Sequence, residues 1–262
     1  NELRTLRGLT SRPVRRRRGL FLLEGIRAIR TALEGGADVR LVVIGEDHSG
    51  QPAFRGALEL AEQREITVRI TEQSVVEELT ATMTPSGIVA SVAWEPLRAP
   101  RPEEIPGILE SLEVSRLLCL DAVADPGNVG SLVRSADAFG LDGILLGSGS
   151  VESTNPKVVR SSVGSLLNLP FVAEEVELLP ALRQLSEHGW TIYRAEVRER
   201  KEHRALLPTG KWVLLLGNEG HGVSEELNQL GEAIHIAMTG AAESLNVAVA
   251  GGILLHGLTA ST

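Results

Sequence analysis

Three short stretches of this 262-residue chain put polar residues where packing alone does not call for them. The first is Asn128-x-Gly130-x-x-x-Arg134. The second is Leu216-Gly217-Asn218-Glu219-Gly220-His221-Gly222-Val223-Ser224, with three glycines in six residues after an apolar run. The third is Ile236-x-Met238-x-Gly240 followed by Ser244-Leu245-Asn246 and an apolar tail. Glycines so spaced mean a backbone that bends tightly or approaches something closely. Glu219 adds a carboxylate that a turn does not need. Asn246 reads as a helical amide among apolar neighbours, and a buried amide needs partners, a ligand among them. Each has a plainer reading: Asn128 and Ser244 as helix N-caps, Ser224 as a cap before Glu225 and Glu226, Arg134 as a surface arginine.

Several chemistries are excluded by what is missing. No G-x-G-x-x-G or G-x-x-x-x-G-K-[ST] occurs, so a dinucleotide fingerprint and a P-loop are absent. Neither G-x-S-x-G nor H-E-x-x-H is present, and Cys119, the lone cysteine, reads as strand packing. The six histidines are scattered singly, which predicts no metal site. Aromatics at 3% are too few for base-stacking platforms. No apolar run nears the roughly 18 residues that span a bilayer, and Leu20–Leu23 is too short for a signal-peptide core. A cytoplasmic protein without a membrane partner is the expectation.

Charge is uneven. The net charge is −8, yet residues 1–20 hold Arg4, Arg7, Arg12, Arg15, Arg16, Arg17 and Arg18 against Glu2, a local balance of +6. A basic arm on an acidic body fits a polyanion touched at one place, with a frayed terminus as the alternative.

The elements that would position these residues alternate. Helices are predicted over 26–33, 57–63 and 75–79, with strands over 39–44, 67–70 and 87–92. Pro96, Pro100, Pro102 and Pro106 then read as a linker. Beyond it, strands are expected at 116–120, 142–146, 191–195, 212–216 and 233–237. Helices are expected at 129–139, 157–167, 176–188, 224–230 and 245–258. Near-continuous Val/Ile/Leu strands between helices imply an α/β fold with a mainly parallel sheet, whose ligands sit at the carboxyl ends of strands. The informative loops follow Leu120, Leu216 and Ala237.

Taken together in order, the three motifs resemble the signatures of the SpoU (TrmH-like) RNA 2′-O-ribose methyltransferases of the SPOUT superfamily. Asn155-Pro156-Lys157 through Ser165 is similar to that family's intermotif region. Phe21–Gly25 and Gly87–Ala90 are similar to the L30e-like substrate-binding domain often fused ahead of it. With the basic arm at 1–18 and the Pro-rich linker at 96–112 read from charge and proline spacing, the resemblance implies an L30e-like RNA-binding domain at 19–95 and a SPOUT methyltransferase domain with a trefoil knot at 113–262. It also implies S-adenosyl-L-methionine as cofactor, held by Leu216, Gly217, Gly220, Gly222, Ile236, Met238, Ser244 and Leu245. Arg134, Asn128, Glu219 and Asn246 are the implied catalytic set, Arg15, Arg16, Arg17 and Arg18 the candidate RNA contacts. A homodimer and a ribosomal RNA substrate (23S) follow by the same analogy. Transfer RNA, a non-catalytic RNA-binding protein and a nicotinamide enzyme remain alternatives. Ala237 and Ser86 depart from the family pattern, which usually has proline and glutamine there.

Overall fold

Period-two burial on the first strand turns one face of the first sheet inward, while the second and fourth strands are buried along most of their length. The computed structural model describes residues 2–80, 86–197 and 208–260 and divides into two compact units. The first unit runs to Glu95 and includes Thr154–Asn168. Its elements begin with helices Glu2–Gly8 (α1) and Arg12–Arg18 (α2), strand Leu20–Glu24 (β1), helix Ile26–Glu34 (α3) and strand Asp38–Gly45 (β2). Helices Glu46–Ser49 (α4) and Pro52–Gln63 (α5), strand Thr67–Thr71 (β3), helix Gln73–Leu79 (α6) and strand Ile88–Ala93 (β4) follow. The sheet order is β1-β4-β2-β3, with β4 antiparallel to both neighbours and β3 parallel to β2. On β1, Phe21 and Leu23 point inward at period two; on α3, Ala28, Ile29, Ala32 and Leu33 form one buried stripe.

The basic segment is not a loose arm. Leu6 of α1 and Leu9 in the turn after it are buried in one cluster with Leu41, Val43, Val76, Leu79 and Val89. Arg15 is only 4% exposed, and its Nη1 donates to Leu9 O at 3.0 Å and Thr10 O at 2.9 Å. Arg15 is therefore removed from the candidate RNA contacts: its guanidinium satisfies the carbonyls left unpaired where α1 ends. Arg16 is half-buried, whereas Arg17 and Arg18 are exposed.

The second unit holds a seven-stranded, wholly parallel sheet of order β11-β9-β10-β6-β7-β8-β5. Its strands are Leu97–Arg98 (β5), Arg116–Leu120 (β6), Gly143–Gly147 (β7), Phe171–Val176 (β8), Thr191–Ala195 (β9), Trp212–Leu216 (β10) and Glu232–Ile234 (β11). Helices Ile105–Ser111 (α7), Pro126–Ala138 (α8), Leu178–Glu187 (α10) and Val247–Thr259 (α11) cover it, while Pro156–Ser162 (α9) groups with the first unit. β6, β7 and β10 are buried along nearly their whole length, as expected of a parallel sheet covered on both faces.

Several expectations change. The Pro-rich stretch is not a linker: β5 pairs with β8, and Ile105 and Leu109 of α7 lie in the sheet core. Pro102 and Pro106 occupy first-turn positions, where no backbone N–H is needed. Arg98 reaches Glu174 at 2.6 Å, and Ser153 N and Oγ bond the same buried carboxylate. The helix read over 176–188 starts at Leu178, because Phe171–Val176 is strand. The helix read over 157–167 breaks at Val163 (φ 52°) and Gly164 (φ 95°), after which Ser165–Asn168 forms a 3-10 turn. Ser224–Leu230 shrinks to a 3-10 turn at Glu225–Leu227. No helix among the described residues is long and apolar enough to cross a membrane.

Candidate active site

Strands β6 and β10 lie side by side in register, Leu120 opposite Leu216, so the loops after them leave the sheet together. Asp121 fixes their bases: its N–H donates to Leu216 O at 2.9 Å, and its Oδ2 accepts from Ser224 N at 2.7 Å. The second loop closes on itself through Asn218 and Gly222, which exchange two backbone hydrogen bonds of 2.9 Å. Asn218 Nδ2 also donates to Ala122 O at 2.9 Å, and its Oδ1 accepts from Gly220 N at 2.8 Å. Sequence reasoning missed this residue; an amide directly after a glycine in a glycine-rich loop was the available signal. Ser224 does not cap with its hydroxyl.

The three motifs meet in one hydrogen-bonded row. Asn128 Nδ2 donates to Glu219 Oε1 at 2.8 Å, and Asn246 Nδ2 donates to Asn128 Oδ1 at 3.0 Å. Asn246 Oδ1 accepts from Ala248 N and Val249 N at 2.9 and 3.2 Å, which makes it the N-cap of α11. The expectation of a buried amide inside that helix is corrected: Asn246 is exposed and precedes the first turn. Neither Ser244 nor Asn128 is a cap. The cap of α8 is Asp125, whose Oδ1 accepts from Asn128 N at 2.9 Å, leaving the Asn128 amide free to span the loops. Arg134 lies further along α8, exposed, and no hydrogen bond or ion pair among the described residues holds its guanidinium.

Beside this row is a cleft of about 340 Å³ at the carboxyl ends of β9 and β10. All eight expected cofactor contacts line it: Leu216, Gly217, Gly220, Gly222, Ile236, Met238, Ser244 and Leu245. Glu219 and Asn218 also border it. The end of β9 forms a further wall, Ala195-Glu196-Val197, which sequence reasoning missed because it followed only three loops. The glycines differ in what they do. A Cβ on Gly217 would stand 2.0 Å from the Gly222 carbonyl carbon, so the fold itself requires glycine there. Gly222 has φ +71°, a backbone that glycine favours. Gly220 has no such demand: a Cβ there meets only Asn218 Oδ1, at 3.4 Å. His221 is exposed, and no group of residues that could hold a metal occurs among the described residues. Cys119 is wholly buried in β6, where burial and, secondarily, Asp121 push its thiol well above the ordinary range.

Known proteins share this arrangement of sequence and fold. The SpoU rRNA methylase family model matches residues 115–256, and the MRM3-like substrate binding domain matches residues 1–90. The chain is 30% identical over 252 residues to the 23S rRNA (guanosine(2553)-2′-O)-methyltransferase RlmP of Bacillus subtilis, covering 95% of this chain and 92% of that one. It is 29% identical over 196 residues to the 23S rRNA (guanosine-2′-O-)-methyltransferase RlmB of Escherichia coli K12, covering 74% and 79%. Among solved structures, the SpoU methyltransferase AviRb of Streptomyces viridochromogenes in complex with AdoMet is similar, with TM-score 0.77, 26% identity and coverage of 98% and 96%. An AdoMet-bound rRNA methyltransferase of Sinorhizobium meliloti gives TM-score 0.78 at 25% identity, with coverage of 98% and 93%.

Proposed function

The chain belongs to the SpoU rRNA methylase family, and on that premise we propose that it transfers a methyl group from S-adenosylmethionine to a ribose 2′-hydroxyl of ribosomal RNA. The observation that carries this reading is the row Glu219–Asn128–Asn246, which draws all three motifs to the rim of one cleft. The relatives RlmP and RlmB are named as 23S rRNA 2′-O-methyltransferases, and AviRb was solved with AdoMet, which favours 23S RNA and this cofactor.

The cleft fits such a cofactor. Leu216, Ile236, Met238 and Leu254 offer an apolar wall for a purine, the loop backbone offers polar groups, and Gly220 leaves open space that the fold does not need. When bound, S-adenosylmethionine supplies a sulfonium methyl open to in-line displacement. The chain's task is to hold the ribose oxygen near 3 Å from that carbon, in line. Arg134, exposed and uncommitted, is suited to grip the phosphate beside the target ribose and to stabilise charge on the oxygen as its proton leaves. It is not the base, since a guanidinium stays charged in a protein and carries no acceptor. Asn128 and Glu219 orient the ribose, and Asn246 braces the cofactor loop from the end of α11.

The first unit, with its match to a substrate-binding domain, would hold the RNA, with Arg16, Arg17 and Arg18 as phosphate contacts. A homodimer through α11 is supported by Val249, 52% exposed, and Ile253, also exposed, while Gly251 on the opposite side packs against Leu132 and Leu216. The knot of the family is supported by the sheet order, in which β10 runs between β9 and β6, and by α11 packing on both α8 and β10. Cytoplasmic residence suits a ribosomal substrate. Incubation with radiolabelled S-adenosylmethionine and undermethylated rRNA or tRNA pools tests the assignment: label in rRNA supports it, and label confined to tRNA moves the target.

A further inference from the structure

The wall that sequence reasoning missed holds a carboxylate with no part in the row described above. Glu196 immediately follows β9, and its residue lines the cleft beside Gly217. Its backbone is fixed, with N–H donating to Ile234 O at 2.9 Å. Its side chain is fixed as well: Oε1 accepts from Arg194 Nε at 3.0 Å. Arg194 is itself buried, and its Nη1 donates to Leu230 O at 2.6 Å. The second carboxylate oxygen, Oε2, has no partner among the described residues. A half-buried acid clamped by a buried arginine, with one oxygen unpartnered among the described residues at the edge of a ligand cleft, is built to accept hydrogen bonds.

Position says from what. β9 is the parallel neighbour of β10, and β10 feeds the glycine loop. In open parallel sheets that bind nucleotides, an acid at the carboxyl end of the strand beside the glycine-loop strand takes the ribose hydroxyls. A carboxylate suits a vicinal diol because both hydroxyls donate and the carboxylate only accepts. We propose that Glu196 recognises the ribose diol of the cofactor, making the cleft selective for ribonucleosides over deoxyribonucleosides and over ligands without a sugar. The inference rests on the cofactor reading given above.

The test is calorimetry with S-adenosylhomocysteine, its 2′-deoxyadenosyl analogue and 5′-methylthioadenosine, which keeps the diol but lacks the amino acid. The proteins are the full chain, Glu196→Gln and Glu196→Ala, each checked by thermal unfolding. Removing a charged hydrogen-bond acceptor should weaken both ribose ligands by about tenfold or more in Glu196→Ala. Binding of the 2′-deoxy analogue, already weaker to the full chain, should change little. Glu196→Gln keeps shape and one acceptor oxygen and should fall between. Loss for S-adenosylhomocysteine with none for methylthioadenosine would overturn the proposal in favour of a contact to the amino-acid ammonium. Unchanged binding of all three by a folded variant overturns it outright while leaving the cofactor reading intact. Failure of the unsubstituted chain to bind any of them removes both.

Discussion

Asn128 and Glu219 stand 91 positions apart in sequence and share a 2.8 Å hydrogen bond from Nδ2 to Oε1. The bond exists because β6 and β10 are adjacent strands and because Asp125, not Asn128, caps α8. Replacing Asn128 by Asp would set two carboxylates face to face. Like charges at this distance raise the pKa of one of them. With that pKa raised, the protonated pair keeps its bond at low pH and loses it as pH rises through the shifted value. Asn128→Asp should therefore be most stable, relative to the unsubstituted protein, at acid pH where the pair still holds a proton, and least above neutrality. Thermal unfolding across pH checks this, and a constant difference would deny the contact.

Asn246 has two tasks, capping α11 and holding Asn128. Asn246→Ala should cost about 0.5–2 kcal/mol from the cap alone, and methyl transfer should fall further than that. Asn246→Ser, which caps nearly as well but cannot reach Asn128, should recover stability and not activity. Recovery of both would reduce the residue to a cap.

The glycines of the second loop should part company. Gly217→Ala places a Cβ 2.0 Å from backbone and should misfold the loop or the chain. Gly220→Val should leave unfolding behaviour nearly unchanged while removing heat of S-adenosylmethionine binding, because it crowds the cleft and not the fold. Normal binding by Gly220→Val would place the cofactor elsewhere.

The N-terminal helices call for substitution, not deletion, since Leu6 and Leu9 are core residues. Arg17→Ala with Arg18→Ala should weaken RNA binding and flatten its salt dependence, the slope falling by about one for each phosphate no longer neutralised. Arg15→Ala should instead destabilise the first unit, because it orphans two carbonyls. An unchanged salt slope in the double variant would take α2 out of the RNA interface.

How much was legible follows from the kind of signal. β6 and β10 were readable to the residue because buried parallel strands are continuous apolar runs, and β9 because Thr191-Ile192-Tyr193 is β-branched and aromatic. β8 was not, since Glu174 and Glu175 break the run and Glu174 is buried only by virtue of Arg98 and Ser153. The proline stretch misled because prolines at first-turn positions look like breakers until the helix is seen. The arginine run misled at Arg15 alone, where charge composition cannot tell an inward guanidinium from an outward one. The motif residues were legible as a set, whereas Asn246 as a cap and Glu196 as a wall required the register of β9, β10 and α11.

The proposed reaction is methyl transfer to a ribose 2′-hydroxyl, with Arg134 gripping the neighbouring phosphate and stabilising charge on the oxygen. The most direct measurement is transfer from radiolabelled S-adenosylmethionine to undermethylated rRNA, followed by alkaline hydrolysis, which cannot cut beside a methylated 2′-oxygen. Label is expected in alkali-resistant dinucleotides, lost by orders of magnitude in Arg134→Ala and not restored at high pH in Arg134→Lys, since a lysine side chain lacks the bidentate fork. Label released in mononucleotides, or near-full activity of Arg134→Ala, would contradict it.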